Sequence, residues 1–240
     1  MLYMSTLIFD IETVGEEFDV LDETTQKGLT RWIEKESESP EDYAVALKEL
    51  KEGLGFSPLT GQIVAIGVLD AEKDKAAVYF QAPGEEFGNF EEDGVTFRQM
   101  TEKEMLEHFW NGAKQYQEFV SFNGRGFDAP FLMIRSAINS VRPTCDLMSN
   151  RYLSKQWSGP RHIDLFDQLS FYGATRRKGS LHLYSRAFGI KSPKSEGVNG
   201  DDVGPLFKAR KFKEIATYNV GDLRATGALY EYWKKYLNFG

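Results

Sequence analysis

The alternation of apolar and polar positions along the chain predicts a sheet that is flanked by helices. Residues 7–12 form a short, mostly apolar run, which indicates a buried first strand. Residues 62–69 and 76–80 are β-rich runs separated by a polar stretch, and they predict an antiparallel hairpin. A fourth short strand is expected over residues 118–122.

Helical signals dominate the rest of the chain. Residues 16–57 are acidic and helical in character, and Pro40, which follows a serine and precedes two acids, marks a helix start within them. Thr101 and Glu104 have the spacing of a capping box at the start of another helix. Further helices are expected over residues 128–138, 163–170, 181–188 and about 212–236.

The order of these elements predicts the fold class. Three antiparallel strands followed by alternating helices and strands indicate an α/β domain with a mixed sheet of five or six strands and flanking helices. A length of 240 residues allows one large domain. We therefore expect a single domain over residues 1–240, with an acidic pair of helices inserted at about 16–57.

Composition excludes several classes of protein. The chain is 41% hydrophobic and 27% charged, as is usual for globular proteins. Its longest apolar stretch, residues 63–69, is too short to span a bilayer, and the N-terminus lacks the basic region of a signal peptide. Cys145 is the only cysteine, which excludes an intrachain disulfide and fits a reducing compartment. These features predict a cytoplasmic protein with no membrane contact.

The net charge of −7 conceals an asymmetry. Residues 1–120 carry 10 Lys and Arg against 26 Asp and Glu, a net charge of −16, whereas residues 121–240 carry 19 against 10, a net charge of +9. Such asymmetry is a hint of nucleic-acid or membrane contact. The basic runs at 176–178 and 208–213 lie in the positive half, and each is either a solvated face or part of a nucleic-acid footprint.

Asp10 and Glu12 are the first candidates for chemistry. They lie two residues apart on a predicted strand, so that both side chains project from the same face. Two carboxylates this close repel each other unless a cation neutralises them, and Mg²⁺ and Mn²⁺ prefer such oxygen ligands. The alternative is a strand end whose acids face water, but the apolar neighbours indicate a buried strand.

Two further motifs carry carboxylates. Asp128 follows a strand and a Gly-x-Gly loop and begins a predicted helix, so that it is either a helix cap or a ligand. Tyr218 and Asp222 have the i, i+4 spacing that places both side chains on one face of the last helix. The alternative is that these two side chains only pack in the core or at the surface, as many Tyr-x-x-x-Asp pairs do.

Taken in order, these motifs resemble the DEDDy branch of 3′→5′ exonucleases, which have a ribonuclease H-like fold. The likeness is greatest to the proofreading exonuclease domain of family-B DNA polymerases and its stand-alone predicted relatives. It rests on FDIET, FNGRGFD and YNVGD at residues 9–13, 122–128 and 218–222, with supporting segments at 58–67, 162–174 and 197–203. Thr217 occupies the position where the sister branch has histidine, and Tyr218 therefore indicates the tyrosine branch.

The resemblance implies a two-metal site for phosphodiester hydrolysis. Two divalent cations, Mg²⁺ or Mn²⁺, are expected on Asp10, Glu12, Asp128 and Asp222. Tyr218 completes the expected catalytic set by positioning the attacking water, because a free phenol has a pKa near 10 and is a poor base at neutral pH. The expected substrate contacts are Thr13, Asn123, Phe127, Arg161 and His162.

The predicted function is a 3′→5′ exonuclease that acts on single-stranded DNA. RNA is the rival substrate, because relatives on this fold trim RNA. A non-catalytic nucleic-acid-binding domain and a ribonuclease H-like endonuclease are the competing interpretations of the fold, although all four carboxylates and the tyrosine are present. There is no room for a polymerase domain in 240 residues, and a polymerase or repair partner stays unidentified.

Overall fold

A mixed sheet forms the centre of the computed structural model, which describes residues 5–191 and 200–239. Within this part of the chain the sheet has seven strands in the order β4-β5-β3-β2-β1-β6-β7. In chain order the strands are β1 (Thr6–Gly15), β2 (Gly61–Asp70), β3 (Lys75–Phe80), β4 (Asn89–Glu92), β5 (Val95–Gln99), β6 (Glu118–Ser121) and β7 (Arg161–Asp164).

The pairing of β1 determines where a site can form. β1 is antiparallel to β2 on one side and parallel to β6 on the other, and β6 is in turn parallel to β7. The carboxyl ends of β1, β6 and β7 therefore lie at the same edge of the sheet. Loops that follow parallel strands meet at such an edge, which is a usual position for functional residues.

Helices cover both faces of the sheet. On one face α8 packs against β1, β2 and β3 with α5, α6 and α7 beside it, and on the other face α3 and α4 cover β1 and β2. The helices are α1 (Glu23–Glu36), α2 (Pro40–Gly53), α3 (Glu102–Ala113), α4 (Asp128–Ile138), α5 (Leu165–Leu169), α6 (Leu181–Ala187), α7 (Val203–Lys208) and α8 (Phe212–Tyr236). Among residues 5–191 and 200–239, none of the helices is long and apolar enough to cross a bilayer.

The alternation of β1 separates two hydrophobic cores. Ile8 belongs to the core beneath α8, whereas Leu7 and Phe9 belong to the core beneath α3 and α4. This follows from the strand period of two, which sends successive side chains to opposite faces. Each core is closed by the apolar stripe of its helices, which makes β1 a buried central strand as the sequence predicts.

The strand count corrects the sequence-based prediction of five or six. β4 and β5 were not expected, because β4 is short and exposed and lacks apolar alternation. β7 occupies positions where a helix was expected from residue 163, because its backbone pairs with β6 and the helix α5 begins only at Leu165. The hairpin of β2 and β3, the capping box at Thr101 and the bounds of α4 and α8 are confirmed.

Candidate active site

Three carboxylates from the two ends of the chain converge at the edge of the sheet. Asp10 and Glu12 project from the same face of β1, and Asp222 reaches them from α8. One oxygen of each carboxylate lies within 4.8 Å of the others, a spacing that can hold a metal ion. Glu12 is buried and the other two are half-buried, so solvent reaches part of the group.

The close approach of α8 to the sheet depends on Gly67. This glycine lies opposite Asp10 in the pairing of β1 with β2. A Cβ atom on Gly67 would lie 1.8 Å from Asn219 Oδ1 and 2.6 Å from Leu223 Cδ1, both on α8. Any larger residue at this position would displace the side chains of Asn219 and Leu223 from the sheet.

Asn219 is a site residue that the sequence analysis missed. Its side-chain amide donates a 2.7 Å hydrogen bond to Asp10 Oδ2 and lies 3.5 Å from Glu12 Oε1. The residue is fully buried, and its Oδ1 has no hydrogen-bond partner within the described residues. A signal was present in the sequence, because Asn219 is the one amide residue between Tyr218 and Asp222.

Asp128 joins the group through the backbone of β1. Its Oδ1 accepts a 3.0 Å hydrogen bond from the N–H of Ile11, which lies between Asp10 and Glu12. Asp128 is the first residue of α4, and the N-cap position is taken by Phe127, whose side chain makes no capping bond. A capping role for Asp128 is therefore excluded, and its charge is close enough to raise the pKa of both Asp10 and Glu12.

The loop that carries Asp128 is held by a second buried acid, Asp164. The Asp164 carboxylate accepts 2.9 Å hydrogen bonds from the backbone N–H groups of Asn123 and Arg125, and it also caps α5. Gly124 allows the loop to pass close to β6, because a Cβ there would lie 2.1 Å from Ser121 Oγ. Asp164 thus fixes the loop and the start of α5 at the same time.

Burial and mutual repulsion disfavour the charged forms of the carboxylates in this site. Burial raises the pKa of Asp10 well above its usual value, and the charges of Asp128, Asp222 and Glu12 raise it further. Burial and Asp222 likewise raise the pKa of Glu12, although the Asn219 amide lowers it. Burial raises the pKa of Asp128 to about 7 against the hydrogen bond from Ile11. A bound cation would remove this repulsion.

Tyr218 lies beside the carboxylates on the same face of α8. Its hydroxyl is hydrogen-bonded to Asp222, and burial together with the charges of Asp222, Glu12 and Asp10 raises the pKa of the phenol above its usual value. The phenol is therefore protonated throughout the physiological range. It can donate a hydrogen bond to a nearby oxygen but cannot serve as a base.

Three of the expected substrate contacts lie around this edge. Asn123 is exposed in the loop before α4, with a left-handed backbone (φ 61°). The half-buried ring of Phe127 lies 6.4 Å from the exposed ring of Phe56, which follows α2. The Thr13 hydroxyl donates a 2.7 Å hydrogen bond to Gly55 O, and this bond ties β1 to the same segment.

The structure corrects the expectation for His162 and weakens that for Arg161. His162 is 1% exposed, its ring nitrogens lie 2.7 Å from Ser121 Oγ and 2.8 Å from Leu147 O, and burial lowers its pKa to about 4. A side chain enclosed in this way cannot contact substrate. Arg161 is half-buried and pairs with Glu118 at 3.3 Å. Both residues lie within β7, because this segment is a strand where a helix start was expected.

The basic run at 208–213 is largely neutralised by acids from the first half of the chain. Lys211 pairs locally with Glu214 at 3.0 Å, and the other three ion pairs each join a cation near or within α8 to a distant carboxylate at 2.8 Å. The pairs are Lys208–Glu17, Arg210–Glu85 and Lys213–Glu92. Part of the charge asymmetry therefore reflects contacts between the two halves, and this run is not a free basic footprint.

Comparison with known proteins assigns the family. The model of a family described as a predicted 3′→5′ exonuclease related to the exonuclease domain of PolB matches residues 60–236. The chain belongs to that family. The match includes Asp128, Tyr218 and Asp222 but begins after β1, so Asp10 and Glu12 lie outside it. Membership implies a nucleic-acid substrate.

The fold agrees with this assignment. The family B DNA polymerase from the hyperthermophilic archaeon Pyrobaculum calidifontis is similar to 96% of this chain, with a TM-score of 0.57 and 20% sequence identity. The chain spans only 24% of that polymerase. The likeness establishes a ribonuclease H-like α/β fold with a mixed sheet and flanking helices. No curated protein sequence matches the chain.

Proposed function

We propose that this family member is a metal-dependent 3′→5′ exonuclease of the DEDDy type that removes nucleotides from the 3′ end of single-stranded DNA. The observation that carries the proposal is the convergence of Asp10, Glu12 and Asp222 within 4.8 Å. Asp128 is bonded to the backbone between the first two. Four carboxylates and a protonated tyrosine at one sheet edge are more than a solvated acidic surface requires.

The residues present fit divalent cations. The donors are all oxygen atoms, which suits Mg²⁺ and Mn²⁺, and the raised pKa values of Asp10, Glu12 and Asp128 favour the binding of positive charge. Asp10, Glu12 and Asp222 would hold one ion, and Asp128 with Asp10 would hold a second. When bound, the ions supply charge neutralisation at the phosphodiester and a more acidic water.

Other side chains of the protein orient the carboxylates, the attacking water and the loop before Asp128. Asn219 fixes the orientation of Asp10 through its 2.7 Å hydrogen bond and adds no charge. Tyr218 donates its hydroxyl proton to Asp222, which holds the phenol in place, and its oxygen would accept a hydrogen bond from a water molecule and so orient that water for attack on phosphorus. Asp164 keeps the loop before Asp128 in register with β1.

A single-stranded 3′ end fits the surroundings of the carboxylates. The rings of Phe56 and Phe127 form an aromatic pair beside the loop that carries Asp128, and aromatic faces stack nucleobases without reading their sequence. Phe56 belongs to the segment that joins α2 to β2, so the acidic insert at about 16–57 would contribute one wall of the substrate site. A stacked base requires an unpaired strand, which favours single-stranded over duplex substrate.

A nuclease assay on end-labelled oligonucleotides tests the proposal. With Mg²⁺ or Mn²⁺, a 5′-labelled strand should give a ladder of shortening products, whereas a 3′-labelled strand should release labelled mononucleotide at once. Closed circular DNA should stay intact, and a chelator should stop the reaction. Matched DNA and RNA strands compare the two sugars. Cleavage of circles, release from the 5′ end, or binding without cleavage under either metal would contradict the proposal.

A further inference from the structure

An exposed surface of aromatic and basic side chains lies outside the carboxylate site. Trp157 is 80% exposed, and Tyr152 and Phe171 are 53% and 55% exposed. The ammonium group of Lys155 lies 5.1 Å from the centre of the Trp157 ring. We refer to Tyr152, Lys155, Trp157, Phe171 and Tyr172 as the aromatic–basic surface.

Two separate segments are joined in this surface. The rings of Tyr152 and Tyr172 lie 4.8 Å apart, and the backbone N–H of Leu153 donates a 3.1 Å hydrogen bond to the Tyr172 hydroxyl. The segment before β7 and the turn after α5 therefore present their aromatic side chains together. Large apolar side chains exposed as a group, rather than singly, mark interaction sites.

The charged side chains that reach solvent within residues 149–180 are all positive. Between residues 149 and 180 the two acids, Asp164 and Asp167, are both buried, so that no carboxylate of this region reaches solvent. The same region carries six cations, of which two form ion pairs, Arg151 with Asp167 and Arg161 with Glu118. Within the described residues the others form no ion pair: Lys155, Arg176, Arg177 and Lys178.

The backbone of the turn after α5 is strained. Phe171 and Tyr172 both adopt left-handed conformations, with φ of 51° and 57°, which bulky side chains rarely do. Hydrogen bonds hold them there, from Tyr172 N to Asp167 O at 2.7 Å and from Phe171 N to Gln168 O at 3.2 Å. Such strain concentrates at ligand sites. In this conformation the Phe171 ring is exposed, and the neighbouring Tyr172 ring packs on Tyr152.

The aromatic–basic surface is tied to the strand that positions the active-site loop. Gln156, the neighbour of Trp157, is buried, and its side chain bonds both the N–H and the C=O of His162 on β7. Two residues further along β7, Asp164 holds the loop that leads to Asp128. The surface and the carboxylate site are therefore linked through β7 and the loop before Asp128.

We propose that the aromatic–basic surface binds the part of the single-stranded substrate that lies 5′ to the nucleotide being removed. Exposed rings provide stacking faces for bases, and the cations of the region provide partners for phosphates, which is the combination that single-stranded nucleic acid needs. Exposed rings alone would also suit a protein partner, but six cations with no exposed carboxylate within residues 149–180 favour a polyanion. This inference rests on the proposed function and extends it to nucleotides beyond the 3′ end.

Tryptophan fluorescence tests the stacking directly. Of the four tryptophans, Trp110 and Trp233 are buried and Trp32 lies on α1, so Trp32→Phe leaves Trp157 as the one exposed indole. Titration of this variant with oligothymidylate in a chelator should quench its emission. The additional change Trp157→Phe should abolish the quenching. Emission that does not respond to the oligonucleotide would overturn the proposal.

Kinetics separate this surface from the catalytic site. Trp157→Ala should raise KM about tenfold for an oligothymidylate of about twelve nucleotides and leave cleavage of a thymidine dinucleotide unchanged. Trp32→Ala is the matched control and should change neither. Neutralising Arg176, Arg177 and Lys178 to Gln should reduce the slope of log affinity against log salt by about 2.

The outcomes distinguish the two proposals. If Trp157→Ala weakens dinucleotide cleavage as much as cleavage of the longer strand, the surface only supports the catalytic site and the inference is wrong. If neither substrate is cleaved with any divalent metal while quenching persists, the proposed function fails and the binding surface stands. Unchanged KM for the longer strand in Trp157→Ala also overturns the inference.

Discussion

The side-chain amide of Asn219 donates a 2.7 Å hydrogen bond to the carboxylate of Asp10, a residue 209 positions earlier in the chain. The same amide lies 3.5 Å from Glu12. A neutral donor in this place satisfies two carboxylates that repel each other and adds no charge to the site. Asn219 therefore fixes how Asp10 and Glu12 are presented to a cation.

Replacing Asn219 with alanine should weaken metal binding. We expect the Mn²⁺ concentration for half-maximal cleavage to rise by about 10- to 100-fold, because residues that orient ligands have effects of this size. Thr217→Ala, an exposed neighbour on α8, is the matched control. If Asn219→Ala has the metal dependence of the wild type, Asn219 is not needed to orient the carboxylates.

Replacing one of the candidate metal-binding carboxylates with an amide should lower activity but raise the stability of the metal-free protein. Asp10→Asn and Asp222→Asn should each reduce cleavage by about a thousandfold or more, because a site short of one ligand stabilises less charge in the transition state. Each should also raise the melting temperature of the metal-free protein, since repulsion is relieved. Glu102→Gln provides the contrast: this buried acid pairs with Arg135 at 2.7 Å, so its loss should lower the melting temperature.

Removing the Tyr218 hydroxyl should affect turnover rather than metal binding. In Tyr218→Phe we expect kcat to fall by about 10- to 100-fold, because the attacking water loses the hydroxyl oxygen that orients it. The ring stays in place, and stabilisation of the protein by Mn²⁺ should match that of the wild type. Equal turnover in the two proteins would remove Tyr218 from the catalytic set.

The contribution of the site carboxylates to the stability of the metal-free protein should fall as pH rises. The pKa values of Asp10, Glu12 and Asp128 are raised in the folded state, that of Asp128 to about 7, so the folded protein binds more protons than the unfolded chain above pH 4. Their stabilising contribution is complete below about pH 4 and is lost as pH rises to about 7. The difference in unfolding free energy between the wild type and Asp128→Asn, measured in a chelator, isolates this dependence, and a difference that does not change with pH would contradict it.

Phe56 should contribute to substrate binding from the inserted segment. Its exposed ring meets Phe127 at 6.4 Å, and loss of one stacking partner should raise KM by roughly 5- to 100-fold in Phe56→Ala. Leu59→Ala removes an equally exposed apolar side chain from the same segment and should have no effect. If both variants behave alike, the insert does not reach the substrate.

The helices and the central strand could be predicted because their signals are local. The bounds of α4 and α8 follow from apolar periodicity, and the capping box at Thr101 needs only four residues. β7 could not be predicted in this way, because its four residues become a strand only through pairing with β6. His162 was misplaced for the same reason.

The carboxylates of the site could be named from the sequence, but the contacts that hold them could not. Asp10, Glu12, Asp128 and Asp222 stand in recognisable motifs. The bond from Ile11 to Asp128 and the space that Gly67 leaves for Asn219 depend on how distant segments pack, and no spacing along the chain encodes them.

The carboxylates that meet in this site come from the first strand and from the last helix. During synthesis the segment with Asp10 emerges early, and Tyr218, Asn219 and Asp222 emerge together on α8 long afterwards. We expect a nascent chain or a truncated product without α8 to be unable to degrade nucleic acid. Because α8 is synthesised after all the strands, the carboxylate site stays incomplete until the strands of the sheet have been synthesised.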